Sequence, residues 1–157
     1  MITLGVDLSI AHCGLAVVDS KNAHPLQMAG CWKPKGTHPM RRQQLLDVIK
    51  VMHQRSKFGI VVMEVVPLRA MKDFAGPAIL ALVGLATTIE DWTWQNEIDV
   101  IRVATVSWRK IVLGNGRAKK EDAIAFARRK FGRIAQADQA EAICQACYPA
   151  MMTGWRP

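Results

Sequence analysis

The sequence predicts one α/β domain, built on a mixed five-stranded sheet flanked by helices. Three observations predict it. Three strand-like runs open the chain with connections short enough for an antiparallel meander. A continuous apolar run, Gly59 to Val66, follows a helical stretch, as expected of a strand buried on both faces. One more strand and three helical stretches then continue the alternation of strand and helix.

Taken in order, Ile2 to Leu8 alternates, with Ile2, Leu4, Val6 and Leu8 on one face and Thr3, Gly5 and Asp7 on the other. Gly14 to Asp19 reads as the second strand and Leu26 to Trp32 as the third. Met40 to Lys57 is a helix whose Leu45, Ile49 and Met52 share one stripe. After the strand Gly59 to Val66, Phe74 to about Thr93 is helical and apolar on more than one side. That pattern suits a buried core helix and equally a surface that meets a second copy. Asp99 to Ala104 is a strand, and helices follow near Val106 to Leu113, Lys119 to Phe131 and Gln136 to Tyr148. Gly114 and Gly116 mark the turn between the first two of these.

The chain has 157 residues, enough for one domain with a proper core and too few for two comfortable ones. Half of its residues are apolar, which excludes a disordered chain. No apolar stretch approaches the roughly 20 residues of a membrane helix. The opening MITLGVDLSI has no basic segment before its apolar residues and no small-residue cleavage site, so the expected location is the cytoplasm, without membrane association. Of the cysteines, Cys144 and Cys147 form a C-x-x-C inside a predicted helix, while Cys13 and Cys31 fall on predicted strands. Buried, reduced thiols are the expectation, and a structural zinc is disfavoured.

The net charge is +8, and between Arg109 and Arg133 nine basic residues face only Glu121 and Asp122. These are Arg109, Lys110, Arg117, Lys119, Lys120, Arg128, Arg129, Lys130 and Arg133. A basic run is commonly just a solvated face. Carrying +7 of the +8, this one points to a polyanionic partner.

Four carboxylates stand in costly places. Asp7 sits in an apolar strand, where an unpaired carboxylate requires a cation or donors, although an Asp at a strand end also commonly caps a turn. Glu64 interrupts the apolar run Ile60 to Val66, and a salt bridge would explain it as well as a ligand role. Asp138 and Glu141 are neighbours on one helical ridge, along the margin of an apolar face formed by Ala137, Ala140, Cys144 and Cys147. Such a pair is commonly a surface feature. Together in a basic protein, the four suggest hard oxygen ligands for magnesium or manganese.

These residues carry a family resemblance. Gly5 to Asp19 (GVDLSIAHCGLAVVD) resembles the first motif of RuvC-type Holliday junction resolvases, and Val61 to Pro67 (VVMEVVP) the second. Ser107 to Ala123 (SWRKIVLGNGRAKKEDA) resembles the third, and Gln136 to Ile143 (QADQAEAI) the closing helix. All four stand in the family's order across nearly the whole chain. The resemblance implies an RNase H-like fold and a homodimer that cuts four-way and other branched DNA, leaving 5′-phosphate and 3′-hydroxyl ends. It implies two Mg2+ ions per site, with Mn2+ substituting. It also implies that Asp7, Glu64, Asp138 and Glu141 hold the metals, that Lys120 takes part in catalysis, and that Arg109, Lys110, Arg117, Lys119 and Lys120 contact DNA.

The chain departs from the motifs in places. Asp7 is followed by Leu8-Ser9 where the family has Pro-Gly, Cys13-Gly14 replaces Thr-Gly, and Glu141 stands for an aspartate. Arg109 replaces a lysine, and Pro67 stands where an aromatic residue is common, leaving Phe74 or Met71 as the candidate wedge that opens a junction. Such divergence resembles a bacteriophage or prophage member. Three other readings stay open. One is an RNase H-like nuclease acting on hybrids or other branched DNA, and another a catalytically silent junction binder. The third, an actin-like ATPase, shares the spacing of Asp7 and Gly14 but needs two such domains.

Overall fold

The period-2 alternation along the first strand decides how the domain is layered. In the computed structural model, which describes residues 1–66, 76–132, 134 and 136–157, that strand is β1 (Ile2–Asp7). It pairs antiparallel with β2 (Cys13–Asp19), which pairs antiparallel with β3 (Leu26–Trp32). On its other side β1 pairs in parallel with β4 (Ile60–Glu64), and β4 with β5 (Asp99–Val103), giving the order β3-β2-β1-β4-β5. The expected meander and mixed five-stranded sheet are both present.

Helices cover both faces. Leu4 and Val6 of β1, Leu15 and Val17 of β2, and Val61 and Met63 of β4 pack on α1 (His38–Ser56) and α2 (Pro77–Gln95). Ala16, Val18 and Val62, on the opposite parity, pack under α3 (Thr105–Leu113), α4 (Lys120–Phe131) and α5 (Ala137–Met152). The central strands are buried on both sides as their composition requires: Val61, Val62 and Met63 are all 0 % exposed.

Several bounds differ from the sequence reading. β4 ends at Glu64, and Val65 beyond it is exposed, although its amide still donates to the Val103 carbonyl at 3.0 Å. α1 begins at His38, with Pro39 in its first turn, where a missing N–H costs nothing. α5 runs past Tyr148 through Pro149 to Met152, held by the buried Pro149, Ala150 and Met151. The expected start of the second long helix at Phe74, the candidate wedge residues Met71 and Phe74, Pro67 and Arg133 all lie outside the described residues.

Glycine lets α5 lie unusually close to the sheet. A Cβ on Gly5 would collide with the Ala142 carbonyl oxygen and lie 2.6 Å from the Ala146 amide nitrogen. A Cβ on Gly14 would collide with the Asp138 carbonyl oxygen. Both clashes are with backbone, which cannot rotate away. The first turn of α5 is thereby set down on the start of β2, and its next two turns on β1.

Candidate metal centre

Strand parity puts two of the acids on one face. Asp7 follows Thr3 and Gly5 on the α5 side of β1, and Glu64 follows Val62 on the same side of β4. The parallel register joins Val6 to Met63, so Asp7 and Glu64 end neighbouring strands side by side. The close approach of α5 brings in the other two. Asp7, Asp138 and Glu141 each offer a carboxylate oxygen, and these oxygens lie within 4.8 Å of one another.

Glu141 is not at the margin of the core, as the helical wheel suggests, but 4 % exposed. From Ala140 to Cys147 every residue of α5 is buried, because the sheet, α3 and α4 surround it. The apolar face is therefore wider than four residues of alternating spacing imply. Cys144 and Cys147 are free, buried thiols, as expected, with burial raising the pKa of both.

Two cations answer the buried charge. Arg109 Nη2 donates to Glu141 Oε1 at 2.6 Å, and Lys120 Nζ lies 3.3 Å from Glu141 Oε2 and 3.6 Å from Asp138 Oδ1. Arg109 is further fixed by donating Nη1 to the Ala118 carbonyl at 2.7 Å. Its place depends on the turn after α3, where Gly114 takes the left-handed conformation (φ 79°) and the Asn115 side chain accepts from the Arg117 amide. Lys120 stands at the start of α4, directly beyond that turn. Burial opposes its charge, but Glu141, Asp7 and Asp138 outweigh burial and hold the ammonium pKa above its ordinary value.

Asp7 has no such relief. Among the described residues nothing donates a hydrogen bond to its carboxylate and no cation pairs with it. Burial, then the charges of Glu141, Glu64 and Asp138, push its pKa from 3.8 up to about 8, and Lys120 only partly opposes them. An unpartnered carboxyl beside two more carboxylates fits a hard divalent cation, which would supply the positive charge the three share. The donor set contains oxygen alone, which favours a hard ion such as magnesium or manganese over zinc.

Glu64 lies next to this group but outside it. Its Oε1 accepts from the Trp108 indole at 2.6 Å and its Oε2 from the Thr105 hydroxyl at 2.9 Å. Sequence reasoning missed both partners. The signal for Trp108 was slight: an indole N–H next to Arg109 at the start of the third motif, which needs an acceptor once buried.

The basic residues divide into two sets. Arg109 is mostly buried and committed to Glu141 and the turn, whereas Lys110, Arg117, Lys119 and Lys120 are exposed, with Lys120 directly against the acids. On α4, Arg128 donates to the Ile134 carbonyl and Lys130 to the carbonyl of Pro157.

No protein-family model matches the chain, and no curated protein matches it. Solved structures do. RuvC from Thermus thermophilus is 18 % identical and superposes with a TM-score of 0.78, covering 100 % of this chain and 99 % of that one. The same organism's RuvC in complex with a Holliday junction substrate is 16 % identical, with a TM-score of 0.79 over 98 % of this chain and 94 % of the other. The Fowlpox virus resolvase, in complex with its substrate Holliday junction DNA, is 13 % identical, with a TM-score of 0.61 over 96 % and 99 % of the two chains. At these identities the likeness lies in the backbone. The chain has the RNase H-like fold of RuvC, with its mixed five-stranded sheet between layers of helices.

Proposed function

We propose that the chain is a divalent-metal-dependent endonuclease that resolves four-way DNA junctions. One observation carries the reading. On a fold shared with resolvases solved on Holliday junction DNA, three carboxylates converge where the sheet meets α5, and Asp7 among them has no partner of its own. A second acid-bearing strand end, Lys120 against the acids, the concentration of positive charge in the 109–133 segment and four motifs in family order support it.

Asp7, Asp138 and Glu141 would hold the ion, with Glu64 beside them for a second. Bound Mg2+ or Mn2+ supplies activation of water and stabilisation of the leaving oxygen in phosphodiester hydrolysis, giving 5′-phosphate and 3′-hydroxyl ends. The protein's own part is to orient. Asp7 is fixed on a central strand, and the glycine-seated α5 fixes Asp138 and Glu141 against it. Lys120 is exposed on one side and paired to the acids on the other, so its ammonium can meet a phosphate as the acids turn to a cation. Lys110, Arg117 and Lys119 would grip flanking phosphates.

Paired cuts in opposed strands need two sites related by a twofold axis, so a homodimer belongs to this reading. Exposed Leu80 and Val83 on α2 support that helix as the meeting surface. No helix of the described residues is long and apolar enough to cross a membrane. Action on DNA in the cytoplasm of a bacterial or phage-infected cell completes the proposal.

The test is cleavage of a labelled synthetic four-way junction with magnesium or manganese, against linear duplex and an RNA–DNA hybrid. Symmetric paired nicks that disappear in Asp7→Asn, while junction binding survives, are the expected result. Binding without cleavage under either metal would leave a silent junction binder. Preferential cutting of the hybrid would leave an RNase H-type enzyme.

A further inference from the structure

Glu64 is held differently from the other acids. Glu141 is answered by Arg109 and Lys120, and Asp138 by Lys120. Among the described residues no lysine or arginine pairs with the Glu64 carboxylate; its two oxygens accept from Trp108 and Thr105, which are neutral. These donors stand three residues apart on the first turns of α3, hence on one ridge facing the end of β4. The main chain of Glu64 is fixed as well, by pairing with Val103 and by Arg102 Nη1 donating to its carbonyl at 3.2 Å.

The distinction matters chemically. A guanidinium or ammonium would orient a carboxylate and cancel its charge together. An indole N–H and a hydroxyl orient it and leave the charge in place. Each carboxylate oxygen has two acceptor positions, so one bond to each leaves the other free. Trp108 is 0 % exposed, so its N–H has no water to turn to and its ring no room to swing. Taking up a cation at Glu141 or Asp138 loosens an existing ion pair, whereas taking one up at Glu64 breaks none.

We propose that Trp108 and Thr105 are positioning residues that present Glu64 as a fixed ligand, free of any ion pair among the described residues, for the second divalent ion of the centre. The inference rests on the metal-dependent reading above and adds to it a device of this chain's own residues. The clamp acts through orientation, so its loss weakens ion binding without unfolding the domain.

The experiment follows Mn2+ uptake by the whole chain, without DNA, from the electron paramagnetic resonance of the free ion. Thr105→Val keeps the side-chain shape and removes the donor; Thr105→Ser keeps the donor. Thr105→Val should weaken binding of the more loosely held ion by about tenfold, while Thr105→Ser stays near the wild type and both melt alongside it. Equal binding by Thr105→Val and wild type, or equal loss in both variants, overturns the clamp and leaves the metal centre standing. A wild-type chain that takes up no Mn2+ overturns both. A second measurement needs no metal. Of the five tryptophan indole N–H resonances, one should move strongly in Glu64→Gln, and its failure to move removes the Trp108 hydrogen bond and with it the clamp.

Discussion

The carbonyl oxygen of Asp138 occupies the space that a Cβ on Gly14 would need. Backbone therefore rests on backbone at the point where α5 crosses β2, and the Asp138 side chain starts its reach towards Asp7 from a position set by a missing methyl group. Gly14→Ala should lift the first turn of α5 and cost about 1–3 kcal/mol, as overpacking does. Chemical denaturation measures that cost. Mn2+ uptake should fall by more than stability alone explains, because Asp138 and Glu141 move while Asp7 stays.

Asp7 gives the metal-free protein an unusual dependence on pH. Its pKa is about 8 in the folded chain against 3.8 as the ordinary value. Between those values the folded state keeps a proton that the unfolded state releases, so stability falls as pH rises across that window. Asp7→Asn should flatten the slope and raise the melting temperature of the metal-free protein at pH 8 by roughly 5 °C. Magnesium should stabilise the wild type increasingly as pH rises, and Asp7→Asn much less. Melting curves from pH 5 to about 8, with and without the ion, read both.

Arg109 and Glu141 form an ion pair with side chains 19 % and 5 % exposed. Removing Glu141 strands Arg109 in a poorly hydrated place, and removing Arg109 leaves the buried Glu141 with the exposed Lys120 as its remaining ion-pair partner. Arg109→Met should therefore destabilise by about 3 kcal/mol, and Arg109→Met with Glu141→Gln by clearly less. A double-mutant cycle in urea measures the difference. A double variant as unstable as the sum of the two single variants would show the two residues acting independently.

The exposed bases should behave otherwise. Lys110→Ala, Arg117→Ala and Lys119→Ala should each leave stability within about 0.5 kcal/mol. Each should lower the slope of junction affinity against salt by about 0.9 for every phosphate that the variant no longer neutralises. Arg109→Met, by contrast, should barely change the slope although it removes a charge, because that side chain is engaged with Glu141 and Ala118. Fluorescence anisotropy of a labelled junction across a salt series separates the two classes.

Much of the fold and half of the site are legible in the residues alone. The alternation Thr3-Gly5-Asp7 puts Asp7 on the face opposite Leu4 and Val6, because side-chain direction in a strand has a fixed period, whereas the single acid in Ile60 to Val66 singles out Glu64 without giving its face. The spacing of Asp138 and Glu141 puts both on one ridge for the same kind of reason. What is not legible depends on neighbours distant in sequence. That Glu141 is buried follows from α3, α4 and the sheet closing around α5, which no local period records. Gly5 and Gly14 announce that something comes close, but not that it is the backbone of α5. Trp108 and Arg109 are adjacent in sequence, yet one turns to Glu64 and the other to Glu141. Only the angle at which α3 leaves β5 decides which acid each one meets.

The three clustered carboxylates come from β1 and α5, with most of the domain between them in sequence. Proteins emerge from the ribosome with their early segments first. A nascent chain thus displays Asp7 on its strand long before Asp138 and Glu141 leave the exit tunnel, and until then these acids cannot grasp an ion together. Under the proposed function, half-made copies attached to their own messenger could not yet cut a nucleic acid. The three acids meet only once α5 has been made.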